Sequence, residues 1–544
     1  MEYILPSKCR NSFVVFLLFC ILPLHAQQRS DFFIHLGTTD SLDATSFFPN
    51  MPPPPNGFPA LLFIHGFGTD KVTRIPSCSV YAANGYATLA YSVRGHGLSS
   101  GASTIMSTQE RLDLRSVIEY MKHMPNVDSC AIGIVGSSQG GLHGLWAVVD
   151  GLDVKAVCTD VIVPQWASDM LTNGSVRRTL LLLLATKSVR YTSLRDTLLS
   201  FVVKDKYDSL LARFPQNRDL DLADITSSNI PIETFLKWQD HYFSPSNGIA
   251  MFDEQISPKI LYIGTQGHFS DDDSVESYVQ SDLIFRWFGK FLMHRETGIL
   301  SQPPVTFAYS SLPVDSLGKF HWTDVAVSSF PPEGVSSLEL FFNPDSSLTE
   351  IKRKSHHQPV TLENLYLNPK YTFDTAYIEG FRGSRFEKLL PQQRILFTSA
   401  ALASDFYWIG EPSMKLFVSS QNKTFPLHAQ IFEVDSLGNE YFINRINFTA
   451  RHWKKGSAKW IAVKGIPHAH RFSAGSRIRV VLTNIDKTNR TILGSFPFVL
   501  PVFSHAGVKI FFDTQHPSSI SLPVVGTASF VQTPPKPVFR NLKK

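Results

Sequence analysis

Cysteine is scarce in this chain, with five among 544 residues. That is too few to staple a small disulfide scaffold together. Charge of either sign is sparse as well: 51 Lys and Arg stand against 46 Asp and Glu, a formal +5 that is small for this length. No Lys/Arg block or basic stripe interleaved with aromatics occurs, so nucleic-acid binding is excluded as a function. Nor does any apolar run approach the roughly 20 residues of a membrane helix, so no membrane span is expected. H-E-x-x-H, paired-cysteine motifs and a Gly-rich loop ending in Lys-Ser/Thr are all absent, and neither a metal nor a cofactor is expected.

What is present is the composition of an ordinary globular protein, 43% apolar and 18% charged. A single core rarely grows past about 300 residues, so two folded units are expected. The first 26 residues read as a signal peptide: Lys8 and Arg10 form a basic start, Phe13 to Leu22 an apolar stretch, and Ala26 a small residue at the exit. The mature protein is then expected to be secreted or periplasmic. Lipid anchoring at Cys20 is disfavoured because bulky Phe19 precedes it. Cys78, Cys130 and Cys158 remain, enough for at most one bridge.

From about 59 to 300, short apolar runs alternate with helical periods, as buried parallel strands and their crossover helices do. Strands are expected at Pro59–His65, Tyr86–Ser92, Ala131–Val135, Lys155–Ile162, Pro231–Lys237 and Pro258–Ile263. In Thr108–Met124, Leu114, Val117, Ile118 and Met121 recur at helical spacing, which predicts an amphipathic helix against the sheet. Residues 165–228 interrupt the alternation with Leu-rich helical segments, Thr179–Ala185 and Leu194–Val202, and read as an inserted cap. After Gly298 the texture changes to alternating segments such as Ser413–Ser420, Leu427–Val434 and Arg477–Leu482, the mark of antiparallel β structure. The reading is therefore an α/β domain over 30–300 and an all-β domain over 301–535. Pro52–Pro55 reads as a stiff surface loop.

Gly136-Ser137-Ser138-Gln139-Gly140 fits G-x-S-x-G, directly after a buried-strand run and before the small residues Gly141, Gly144 and Ala147. Small residues there allow the sharp strand-to-helix turn that exposes a nucleophilic serine hydroxyl, which makes Ser138 the candidate nucleophile. A serine hydroxyl needs a base within hydrogen-bond reach, and the base needs a partner to fix its tautomer. Among 18 histidines, His268 follows the last expected strand, at the sheet edge where loops carry catalysis. His143, in the helix after Ser138, and His241 are its rivals. Asp240 ends the preceding strand and is the candidate acid; Asp271, Asp272 and Asp273 follow the histidine and fall in the wrong order. Backbone N–H groups of Gln139 and of the His65-Gly66-Phe67-Gly68 turn, Phe67 first and Gly68 next, are the candidate oxyanion donors. His65 is expected to brace that loop. Trp166 and Trp238 fit either a pocket wall or the core.

These motifs resemble those of the cocaine-esterase and X-Pro dipeptidyl-peptidase family of α/β-hydrolases. The resemblance rests on Asp40–Thr45, Arg94–Gly101, Gly136–Gly140, Trp238-Gln239-Asp240, Gly267-His268, Trp287–Leu292, Ile409–Pro412 and Phe472–Arg479, in that order. It implies an α/β-hydrolase sheet with a helical cap and a C-terminal β jelly roll. It further implies cleavage of esters, acylated amides or N-terminal X-Pro dipeptides. Many members place a tyrosine after the first of these strands as an oxyanion donor, whereas this chain has Phe67 within His65–Thr69. A serine esterase or acylase acting on small substrates is the first expectation, and an X-Pro dipeptidyl-peptidase acting on short peptides the second. A reading of another class, an inert hydrolase fold serving as a carbohydrate- or surface-binding protein, is opposed by the presence of all three triad residues in order.

Overall fold

The computed structural model describes residues 27–531 apart from 38, 266, 269–273, 317, 353–357, 368–388 and 488–496. The expected signal peptide and Asp271 to Asp273 lie outside the described residues.

Near-continuous runs of aliphatic and aromatic residues form the strands of the N-terminal half. These are β1 (Gln28–Leu36), β2 (Asp40–Phe48), β3 (Phe58–Ile64), β4 (Ala87–Tyr91), β5 (Val127–Ser137), β6 (Ala156–Asp160), β7 (Ile232–Lys237) and β8 (Lys259–Gly264). In space they run β1-β2-β4-β3-β5-β6-β7-β8, parallel from β4 onward, with β1 and β2 an antiparallel edge hairpin. All six expected strands are found. The hairpin was not among them because β1 is largely solvent-exposed and carries little apolar signal.

Helices cover both faces. The expected amphipathic helix is α2 (Thr108–Lys122), which follows α1 (Ile75–Ala83) and precedes α3 (Gln139–Val149). Glu110 at the start of α2 accepts from the Ser107 N–H at 3.2 Å, a cap that stabilises by about 1 kcal/mol. Alternation along each strand sorts the core: Leu62, Ile134, Val157 and Leu236 pack with Leu114, Leu142 and Trp146 of α2 and α3. Leu61, Phe63, Phe235 and Tyr262 pack with Tyr81 of α1 and with Trp287 and Phe288. The last two belong to α10 (Ser274–Met293), which follows β8 in the chain.

The cap holds α4 (Trp166–Asp169), α5 (Arg178–Leu184), α6 (Leu194–Val203), α7 (Tyr207–Arg213) and α8 (Leu222–Thr226), with α9 (Ser246–Glu254) and α10 after it. Trp166 is fully buried in the cap against Phe214 and Phe243. Trp238 is fully buried too, against Phe307 and Phe330, its indole N–H donating to the Ala308 carbonyl at 2.5 Å. Both are core residues rather than pocket walls.

β9 (Val305–Val314) continues the parallel sheet beside β8 and also pairs antiparallel with β10 (Phe320–Val327) and parallel with the strand His468–Phe472. One strand thus joins the two halves by hydrogen bonds. Beyond it the chain is all β, mostly antiparallel, around Trp408, Leu416, Ile431, Phe472, Val480 and Ile510. Ser413–Ser420 is a strand as expected, and His428–Val434 pairs with Arg477–Thr483. The cap touches this half through the Arg451–Asp205 ion pair and the Ser175–Thr449 hydroxyl contact at 2.9 Å. Among the described residues no helix is long and apolar enough to cross a membrane.

Candidate active site

β5 ends at Ser137 and α3 begins at Gln139, so the chain reverses at a single residue, Ser138, whose φ of 55° and ψ of −118° are strained for a side-chain-bearing residue. Two glycines make the turn possible. A Cβ on Gly136 would stand 2.1 Å from the Gly140 backbone, and one on Gly140 would stand 2.2 Å from the Ile64 carbonyl oxygen. The helix is therefore drawn against the sheet, and the serine hydroxyl is left standing above it.

The structure brings Ser138, His268 and Asp240 together. His268 Nε2 lies 2.9 Å from Ser138 Oγ, and His268 Nδ1 lies 2.8 Å from Asp240 Oδ2. Asp240 follows β7 and His268 follows β8, so adjacent strands deliver the pair to one edge of the sheet. The other Asp240 oxygen accepts from the N–H groups of Tyr242 and Phe243 at 2.7 and 3.1 Å. Burial pushes the Asp240 carboxyl up, but His268 and these hydrogen bonds outweigh it and hold it below the usual carboxylate range. With that carboxylate accepting from Nδ1–H, Nε2 is left free to accept from the serine.

The rival histidines stand elsewhere. His143 is buried in α3, its Nδ1–H donating to the Gln139 carbonyl at 2.8 Å, and His241 is packed so that its ring centre is 6.0 Å from that of His268. Burial lowers both to about 4, which keeps them neutral. His65 is wholly buried; its Nδ1–H donates to the Gly66 carbonyl and its Nε2 accepts from the Val93 N–H, each at 2.8 Å. It holds the loop to the segment just after β4.

The first N–H groups of a helix lack intrahelical partners, and Gln139 is the first residue of α3. Gly66 lies against Ser138 from the other side, since a Cβ there would sit 3.7 Å from the serine Cβ. Phe67 lines the same cavity, its ring on His96 and Tyr191. Gly68 turns the loop at φ +83°, and its carbonyl accepts from Ser188 of the cap at 2.6 Å. Cys78, Cys130 and Cys158 are free thiols.

Ser138 and His268 open on a cavity of about 560 Å³. On the cap side its wall is apolar, with Phe67, Met106, Leu183, Tyr242 and Phe243. This apolar side was not readable in the sequence, because α5 and the 242–243 turn meet only through the fold.

Two family models match the chain. Residues 37–206 match the model of the X-Pro dipeptidyl-peptidase (S15 family), and residues 314–490 match that of the X-Pro dipeptidyl-peptidase C-terminal non-catalytic domain. The chain belongs to the cocaine-esterase and X-Pro dipeptidyl-peptidase family. It is an α/β-hydrolase followed by an all-β unit, and its family is one of serine hydrolases. A CocE/NonD family hydrolase from Staphylococcus aureus is similar in fold, with a TM-score of 0.70 at 15% identity over 92% of this chain and 94% of that one. An aminopeptidase from a marine sediment archaeon, Thaumarchaeota archaeon, gives 0.66 at 13% over 92% and 97%. An α-amino acid ester hydrolase gives 0.67 at 13% over 96% and 100%. The curated relative, an uncharacterized 31.7 kDa protein in the traX-finO intergenic region of Escherichia coli, is 26% identical over 120 residues. The match spans 22% of this chain and 41% of the relative. In this family member the loop after β3 carries Phe67, and the nearby Tyr191 spends its hydroxyl proton on the Leu183 carbonyl at 2.7 Å.

Proposed function

We propose that the protein hydrolyses ester or amide bonds of small substrates through an acyl-serine intermediate on Ser138. His268 takes the Ser138 proton as the hydroxyl attacks the carbonyl, returns it to the leaving group, and then activates water for deacylation. Asp240 orients His268 and stabilises the imidazolium that forms. The tetrahedral oxyanion is held by main-chain N–H groups of Gln139 and the Phe67–Gly68 turn. The observation that carries this reading is the unbroken line of two hydrogen bonds from Asp240 through His268 to Ser138, opening on a cavity. The all-β unit, a jelly roll in this reading, closes over the cap, and the protein acts outside the cytoplasm after removal of residues 1–26.

Mass spectrometry after a fluorophosphonate probe tests the assignment, with para-nitrophenyl esters and Ala-Pro-para-nitroanilide assayed on the same sample. Labelling at Ser138 with ester turnover supports the esterase reading. Release of para-nitroaniline moves the protein to the dipeptidyl-peptidase branch. Absence of both label and turnover removes the proposal.

A further inference from the structure

The same cavity has a second side that the proposed chemistry does not use. Below Ser138, where β6 and β7 end against α10, its wall carries Arg74, Asp160 and Lys237 among the apolar Val135, Phe235 and Ile284. Lys237 is only 7% exposed, and among the described residues neither its ammonium nor the Arg74 guanidinium makes a hydrogen bond or an ion pair. Arg74 Nε and Asp160 Oδ1 are each buried without a partner. Lys237 is buried and Arg74 half-buried, and a cation left unpaired in such surroundings is a cost unless something anionic visits it.

Strand alternation places these groups together. Cys158 and Asp160 on β6, and Glu233, Phe235 and Lys237 on β7, share the face that meets α10, and β6 and β7 are neighbours. Arg74 comes from the short 3-10 turn Lys71–Arg74 that precedes α1. Among the described residues, Asp160 is the one carboxylate lining the cavity there. Glu233 stands deeper on β7, where burial raises it to about 8 and keeps it neutral at pH 7. Among the described residues this lobe therefore sets two basic side chains against one carboxylate. Burial works against the Arg74 charge and the Asp160 carboxylate supports it, without direct contact.

Resting on the acyl-serine reading above, we propose that Arg74 and Lys237 form a subsite for a substrate carboxylate, so that the preferred substrates are esters or amides carrying a free carboxylate beside the scissile bond. A guanidinium and an ammonium facing one cavity suit such a group, the first bidentate and the second as a point charge. A substrate with a free amine is less well matched: the cap side of the cavity is lined by Phe67, Met106, Leu183, Tyr242 and Phe243, and on the other side Asp160 stands beside two basic side chains.

Two ester pairs of matched shape test this on the full-length protein. Para-nitrophenyl hydrogen glutarate against para-nitrophenyl methyl glutarate places the charge on the acyl side. 4-Acetoxybenzoate against its methyl ester places it on the leaving group. In at least one pair the charged member should show a kcat/KM about tenfold or more above the neutral one, as one charge-assisted contact in a buried site provides. Lys237→Met and Arg74→Met should each cut that ratio about tenfold, and Lys237→Glu should invert it. The wild-type ratio needs no variant to fold. A ratio at or below one in both pairs, or one that survives both substitutions, overturns the subsite while the acyl-transfer reading stands. Failure to turn over any of the four esters overturns both.

Discussion

His470 Nε2 lies 2.8 Å from the Glu433 carboxylate in the all-β half, and its Nδ1 lies 2.7 Å from Ser310 Oγ. The hydroxyl–imidazole–carboxylate line repeats that around His268 with the two ring nitrogens exchanged, yet Ser310, His470 and Glu433 are all wholly buried. No substrate can reach them, so hydrogen-bond geometry alone does not make a catalytic site; access to a cavity separates the two. Ser310 sits where β9 pairs with His468–Phe472, and the three side chains tie that seam.

Ser310→Ala is expected to leave His470 Nδ1 buried without its partner and to lower stability by about 1–3 kcal/mol. Ester turnover per folded molecule should not change. A thermal melt beside an ester assay checks this, and a fall in kcat with an unchanged melt would count against a purely structural role.

Asp240→Asn should lower kcat by about 10³-fold or more, because the amide favours the wrong imidazole tautomer. The fold should persist, since Asn can still accept from the Tyr242 and Phe243 N–H groups. The wild-type carboxyl is held below its unfolded value, so its contribution to stability is present above about pH 4 and lost as pH falls further. The variant should lose that acid-side dependence. Unchanged kcat would move the orienting role to another residue.

Much of this site was legible because its signals are local. Gly136–Gly140 encodes a turn that tolerates no Cβ at either glycine, and Asp240 and His268 each follow a strand whose apolar run is unmistakable. The edge hairpin of β1 and β2 was not legible, since a half-exposed strand carries weak periodicity. The pairing of β9 with β8 escaped as well, because it joins segments that the sequence separates by the long helix α10. The charged lobe is a third case: Arg74 lies 163 positions before Lys237, and only strand order puts both at one cavity.

Glu233→Gln should stabilise the protein at neutral pH. Burial raises the Glu233 carboxyl from 4.5 to about 8, with Arg286 and the Cys158 side chain pulling the other way. The unfolded chain ionises first, so wild-type stability falls as pH rises from about 4.5 toward 8, by about 3 kcal/mol at pH 7. Glutamine does not ionise, and its melting temperature should exceed wild type at pH 7.5 while the two converge near pH 5. A gap that is the same at both pH values would mean that the carboxyl is already charged in the fold.

Arg177 links the cap to the catalytic turn. Its guanidinium lies 3.0 Å from the Asp169 carboxylate and donates to the Tyr242 carbonyl at 3.0 Å. Asp169 in turn accepts from the Ser244 N–H at 2.6 Å. Tyr242 carries this outward, its ring centre 4.5 Å from that of His268. Burial raises the Asp169 carboxyl to about 6 even with Arg177 pulling it down. Arg177→Met removes that pull and leaves a buried carboxyl without its charged partner, a change that costs about 3–5 kcal/mol at pH 7.5. At pH 5 the cost should shrink, because Asp169 then takes up a proton and no charge is stranded. kcat should fall along with stability, since the turn holding Tyr242 beside His268 loses its anchor. Melts at pH 5 and 7.5, with turnover at pH 7.5, read both effects. The double variant with Asp169→Asn should recover stability at pH 7.5 but not turnover, because the Tyr242 carbonyl still lacks its donor; recovery of both would make the contact to Tyr242 incidental.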